Sequence, residues 1–247
     1  MEINSSILSS TPPLMMRPPP PPYGLRRKRN PIISTSFRLS LSVHHHHRCK
    51  SLATTTEILQ QKDDEEEEAK SAGRRLILLR HAKSSWDNPS LRDHDRPLSQ
   101  AGRADATTLS LKLQQLGWIP QLILSSDAKR TRETLQLMQQ RVPAFLNAQV
   151  HFISSFYSIA AMDGQTAYHL QQAICKYCTD DIHTVMCMGH NRGWEEAASM
   201  FTDAFVELKT CNAALLQATG SSWEEAFALA GLGGWKLEGI VKPSNSM

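Results

Sequence analysis

Four aliphatic residues in a row, Leu76-Ile-Leu-Leu79, stand between Arg75 and Arg80. A strand wetted on one face alternates apolar and polar residues, whereas an unbroken run has to be covered on both faces. Leu122-Ile-Leu124 and Thr184-Val-Met-Cys-Met188 share this character. Such strands demand helices above and below, and the intervening sequence supplies them. Ser99 is a candidate N-cap for a helix over residues 101–116, which Gly117 ends. Thr131, Leu135 and Met138 recur at helical spacing within 129–140, and Pro143 blocks any extension. Residues 165–177 and 195–201 read as further helices, 150–153 as another strand, and 213–217 and 235–241 as closing strands. Strands alternating with helices predict an α/β chain, a three-layer sandwich with a mostly parallel central sheet.

The first 73 residues do not follow that pattern. Between Met1 and Thr56 the only acidic residue is Glu2, while Arg17, Arg26, Arg27, Lys28, Arg29, Arg38, Arg48 and Lys50 are basic and Ser and Thr recur. The prolines at 18–22 exclude a helix there and favour polyproline II. An acid-poor, Ser- and Arg-rich start is the composition of an organelle transit peptide, and it lacks the apolar stretch of a secretory signal. The proline tract and weak amphipathicity favour a plastid over a mitochondrion. The histidines at 44–47 read as low-complexity sequence. Residues 57–73, with the acidic run at 63–68, read as a solvated linker, leaving 74–243 as the expected folded domain.

Composition narrows the function of that domain. Residues 74–247 carry seventeen Lys/Arg against sixteen Asp/Glu, a balance that speaks against a nucleic-acid partner. No apolar run approaches the roughly 20 residues of a membrane span, so no membrane partner is expected. Five scattered cysteines make no disulfide framework.

Three strand ends carry the chemistry. Arg80-His81 follows the first apolar run; Ser125-Ser126, with Arg130 four residues on, follows the second; Gly189-His190 follows the third. Ligands of open α/β sheets bind beyond the carboxyl ends of the strands. If these three run parallel, two histidines and two arginines converge on one crevice. The planar fork of Arg donates two charge-assisted hydrogen bonds to one phosphate, and a neutral imidazole is a competent nucleophile.

The motifs around these residues resemble those of the histidine phosphatase (phosphoglycerate mutase-like) superfamily, and more closely its small SixA-like branch, the phosphohistidine phosphatases. Leu-Leu-Arg80-His81-Ala82 is similar to the Arg-His-Gly signature. Arg80-His-Ala-Lys83, Asp95-Arg-Pro-Leu-Ser99 with Gly102-Arg103, Ser126-x3-Arg130-Thr-x-Glu-Thr134 and Met188-Gly-His190-Asn191 stand in family order, and Trp235-Lys-Leu-x-x-Ile240 also fits. The resemblance spans about 74–243 and implies a phosphoglycerate mutase-like fold. It implies His81 as the nucleophile that carries a transient phosphoryl group. Arg80, Arg130 and His190 would complete the phosphate pocket, with Lys83 assisting the anion. Neither metal nor cofactor is implied.

One departure narrows the substrate. Superfamily members that cleave ordinary phosphate esters commonly use a mid-chain acid to protonate the leaving oxygen. Between Glu133 and Asp180 this chain offers Asp163 alone, in a turn before Gly164, so Asp163 is the candidate acid. The missing glutamate favours a good leaving group, such as the imidazole of a phosphohistidine. The expected partner is therefore a phosphorylated protein, or else a small phosphorylated metabolite, acted on by a monomer. A small-metabolite phosphomonoesterase and a non-catalytic phosphoprotein-binding module are the alternatives, while the small domain disfavours a mutase. Cys175-x-x-Cys178 is a weak zinc or redox signal. Trp86 and Trp194 lie near the histidines in sequence and read either as pocket mouth or as packing.

Overall fold

The computed structural model describes residues 73–244. The expected leader and all but the last residue of the linker lie outside the described residues. In chain order the elements are β1 (Arg74–Arg80), α1 (Gln100–Gln115), β2 (Leu122–Ser125), α2 (Lys129–Arg141), β3 (Gln149–Phe152), α3 (Ser155–Ile159), α4 (Thr166–Tyr177), β4 (Thr184–Gly189), α5 (Gly193–Thr202), β5 (Ala213–Ala218), α6 (Trp223–Ala230) and β6 (Lys236–Val241). Short 3₁₀ turns occupy Asp93–Asp95 and Pro143–Asn147.

One six-stranded sheet runs β3-β2-β4-β1-β5-β6. The pairs β3–β2, β2–β4 and β4–β1 are parallel, while β5 and β6 close the sheet antiparallel. The sheet is therefore mixed and mostly parallel. Alternation along β1 shows why its sequence could not alternate in polarity. Leu76 and Leu78 enter one core with Phe156, Leu170, Trp194 and Phe227 of α3 to α6. Ile77 and Leu79 enter the opposite core with Leu109 and Leu113 of α1 and Leu135 and Met138 of α2. Side chains two apart share a face, and here both faces are helix-covered, which makes three layers.

Ser99 caps α1 as expected, its Oγ accepting from Gly102 N at 3.1 Å. Two short helices were not expected. Ser155–Ile159 is too brief to show a helical period, and Trp223–Ala230 follows a Ser222 cap whose Oγ accepts from Glu225 N at 3.0 Å. The second carries Trp223, which stacks on Trp235, and Phe227, whose ring meets both at a tilt.

Candidate active site

Register assembles the site. Arg80 pairs with Gly189 across β1–β4, and Ser125 with Met188 across β2–β4. The next rung after Arg80–Gly189 brings His81 and His190 side by side, and the next after Ser125–Met188 sets Ser126 level with Gly189, one residue before His190. The backbone continues the ladder: His81 N donates to Gly189 O at 3.0 Å, and Ser126 N to Met188 O at 2.9 Å. Neighbouring strands lie about 4.8 Å apart, and the two imidazole centroids are 5.1 Å apart.

Arg130 enters from the first turn of α2. Its Nε donates to His81 Nε2 at 3.0 Å and its Nη2 to His190 Nδ1 at 3.1 Å. Thr134, one turn on, binds this helix to the loop after β1, its Oγ1 accepting from Ala82 N at 3.1 Å and donating to Arg130 O at 2.7 Å. Glu133 accepts from Leu98 N at 2.8 Å and pairs with Arg103 at 3.3 Å. Ser99 Oγ donates to Lys83 O at 3.1 Å. A Cβ on Gly102 would stand 2.2 Å from that same carbonyl, so only glycine lets α1 approach. The motif residues between Leu98 and Thr134 thus act as braces on the His81 loop.

The tautomers follow from these bonds. His81 Nδ1 lies 2.7 Å from Ala82 O, which accepts its proton; Nε2 is then the bare nitrogen that receives Arg130. His190 likewise gives its Nε2 proton to Ser126 Oγ at 2.8 Å and accepts from Arg130 on Nδ1. Burial first, then the neighbouring Arg130 and Arg80 guanidinium groups, outweigh the Ala82 carbonyl and push the His81 pKa down to about 4. Burial, His81 and Arg130 also push His190 down. Both rings are neutral at physiological pH.

The folded chain therefore binds fewer protons here than the unfolded chain, whose imidazoles titrate near 6.5. Stability is full above that value and falls as acid takes pH from 6.5 toward 4. We expect the melting temperature to drop across this window, and the slope to be shallower in His81→Asn, measured by thermal denaturation in matched buffers.

Of the residues singled out in the sequence, Arg80, His81, Arg130 and His190 are the ones brought together. Arg80 donates through Nη1 to Leu208 O at 2.7 Å and leaves its buried Nε without a protein acceptor. Lys83 does not join them; its side chain is exposed and acts electrostatically on Asp105 of α1. Nor does Asp163, whose carboxylate meets Arg192 at 3.3 Å with both side chains largely exposed. Trp194 is fully buried against Phe156, and Trp86 lies over Arg96, its ring 4.0 Å from the guanidinium carbon. Trp194 is a packing residue, while Trp86 is largely exposed and its ring contact is with Arg96. Cys175 and Cys178 sit at the end of α4 against the core, and burial pushes the Cys178 thiol up to about 12. A thiol held that high is a poor nucleophile, metal ligand or redox partner.

Sequence reasoning missed Asp93 and Tyr157. Asp93 Oδ2 accepts from Arg130 Nη2 at 2.8 Å and from the Tyr157 hydroxyl at 2.8 Å. Burial raises the Asp93 carboxyl, but the bonds from Tyr157 and Arg130 outweigh it and hold the group below the usual carboxylate range. The two join Arg130, His190, Ala160 and Arg192 around a cavity of about 490 Å³. Asp93 lies two residues before the quoted Asp95-Arg-Pro segment, in a polar loop with no periodicity to mark it, and Tyr157 rides on the short helix that was not expected.

Residues 76–153 match the sequence profile of the histidine phosphatase superfamily, branch 1. An uncharacterized chloroplastic protein of Arabidopsis thaliana is 71% identical over 174 residues, which cover 70% of this chain and 80% of that protein. A crystal structure from Agrobacterium tumefaciens, assigned as the phosphohistidine phosphatase SixA, is 25% identical and superposes with a TM-score of 0.52, covering 69% of this chain and 99% of that one. The chain belongs to the histidine phosphatase superfamily. Within it, this member is SixA-like. A structure from Nakamurella multipartitia, likewise assigned to SixA, shares the fold at 24% identity and a TM-score of 0.57, covering 70% of this chain and 98% of that one.

Proposed function

We propose that this histidine phosphatase superfamily member is a phosphatase that works through a phosphoryl group carried on His81, with a phosphohistidine or another activated phosphate as substrate. The observation that carries the reading is the bare Nε2 of a neutral His81, set 3.0 Å from the Arg130 guanidinium. A phosphoryl group entering the site takes the donors of Arg130 and the unpaired Nε of Arg80, which frees the Nε2 lone pair. Nε2 attacks phosphorus; the P–Nε2 bond forms, and the bond to the leaving group breaks with the electron pair going to that group. Nδ1 keeps its proton, and the hydrogen bond that Ala82 O accepts from it stabilises the positive charge that develops on the ring. Water then attacks the same phosphorus, the P–Nε2 bond breaks and inorganic phosphate leaves. Arg80 and Arg130 are aimed at the oxygens on which charge builds, and His190 holds Arg130 in place through Nδ1.

The acid role passes from Asp163 to Asp93, the carboxylate that lines the cavity. An unliganded Asp93 is ionised; an arriving phosphate draws Arg130 away and adds negative charge, and both changes raise its pKa toward protonation. Asp93→Asn is expected to steepen the dependence of rate on leaving-group pKa. Slow alkyl phosphates lose about 10²-fold and p-nitrophenyl phosphate less, measured as kcat/KM over a leaving-group series. A mutase is disfavoured because the segment between β3 and α4, which bears the five-residue α3, is too short to close over an intermediate. The chloroplastic relative and the composition of the leader support a plastid location. The SixA name of the 25% identical structure supports a phosphorylated protein as the partner.

The test is to trap the enzyme form. Acid-free quenching after mixing with a radiolabelled phosphoramidate is expected to leave close to one label per chain, stable to base and labile to acid, on the peptide that contains His81. A labelled serine or an unlabelled chain would overturn the reading.

A further inference from the structure

Arg192 takes no part in the chemistry above, yet the fold goes to some length to place it. Its φ of 64° and ψ of −61° make it one of three non-glycine residues with positive φ among the described residues. That backbone is strained for any residue with a side chain, and strain of this kind persists only where its surroundings impose it. Here they do. The next residue, Gly193, is driven against the 160–166 segment: its N donates to Ala160 O at 3.1 Å, and a Cβ would stand 2.6 Å from both Ala160 Cα and Thr166 Oγ1. The same segment is held a second time, by Gly164 N donating to Glu196 of α5. Between these two attachments sits Asp163, opposite Arg192.

The ion pair itself does not account for the arrangement. Arg192 Nε lies 3.3 Å from Asp163 Oδ1 with side-chain exposures of 75% and 70%, and a pair so wet contributes too little to offset the strain. What Arg192 does have is a position. It lines the cavity together with His190, Tyr157 and Ala160, and it is the cation of that wall besides Arg130, which the reacting phosphate uses. The cavity, about 490 Å³, extends along an apolar shelf of Ala160 and Ala161 and is roomier than one phosphate requires.

We propose that Arg192 determines specificity by binding a second anionic group of the phosphorylated substrate, a carboxylate or further phosphate carried on the leaving-group side, with Asp163 as the carboxylate that the substrate's anion displaces. The proposal rests on the phosphatase reading of the same site. An exposed, weakly paired guanidinium is suited to it, because the exchange of one carboxylate for another costs little and the planar fork receives the newcomer with two hydrogen bonds. The apolar shelf carries the body of the leaving group between the two anions.

The measurement is a ratio, kcat/KM for 4-carboxyphenyl phosphate over that for its neutral isostere 4-carbamoylphenyl phosphate. A second arm uses phosphohistidine peptides with glutamate or glutamine beside the reacting residue, which separates a small-molecule carboxylate from one on a protein. The full chain is expected to prefer the anion in at least one arm. Arg192→Gln should cut that preference about tenfold, Arg192→Lys should retain part of it, and Asp163→Asn should raise it, while added salt weakens it throughout. A ratio in Arg192→Gln within about twofold of the wild type in both arms would overturn the proposal and leave the phosphatase reading standing. Absence of turnover and of labelled His81 in the wild type would remove both.

Discussion

Alanine at position 81 is expected to lower turnover of an aryl phosphate by about 10³-fold or more and to abolish covalent labelling altogether. The size of the effect follows from how few groups can take over. His190 is neutral too, but its Nε2 proton is committed to Ser126 and its Nδ1 is the second nitrogen that holds Arg130, so it cannot take over without giving up part of the cradle. Asp93 is ionised and held by Arg130 and Tyr157. The thiols of Cys187 and Cys211 are buried in the cores, where burial raises both far above neutrality. What remains in the variant is the cationic cradle, which still binds phosphate and still stabilises charge for direct attack by water. Binding of inorganic phosphate by His81→Ala, followed by calorimetry, is therefore expected to persist while turnover is lost. That pair of results separates a lost nucleophile from a lost site. Equal turnover in variant and wild type would end the assignment.

The distribution of what the sequence disclosed follows from the kind of signal each feature leaves. Strands buried on both faces write themselves as apolar runs, so β1, β2 and β4 were legible, and with them the carboxyl ends at which a ligand binds. The parallel order that aligns Arg80 with Gly189 and Ser125 with Met188 then placed His81, His190 and the Ser126 turn together. Arg130 was legible through its spacing from Ser126, which fixes the first turn of α2. Asp93, Tyr157 and Arg192 left no such trace. Each acts through a tertiary meeting of loops or of a five-residue helix, where neither period nor cap reports on position. Asp163 was selected by the scarcity of carboxylates along the chain, a signal that says nothing of which carboxylate folding brings to Arg130: Asp163 pairs with Arg192, and Asp93 is bonded to Arg130.

Gly189→Ala is expected to destabilise the domain by about 3 kcal/mol or more, a loss of roughly 6–12 °C in melting temperature for a domain of this size. The reason is contact and not backbone freedom. A Cβ built at Gly189 would lie 2.2 to 2.5 Å from three atoms of the Trp194 six-membered ring. Those atoms are the far end of a side chain, which elsewhere might swing aside. Trp194 has no such latitude: it is fully buried, it meets the Phe156 ring edge to face with centroids 5.3 Å apart, and its Nε1 donates to Cys187 O at 3.0 Å. The strand would have to move instead, and Gly189 pairs with Arg80 and accepts from His81 N, so His81 and His190 move with it. Activity at a temperature where the variant is still folded should fall as well. Trp194→Phe removes the offending ring atoms and leaves a cavity of its own. If contact is the cause, the double variant will be less destabilised than the sum of the two single changes, as measured by chemical denaturation. Simple additivity would instead place the cost of Gly189→Ala in the strand backbone.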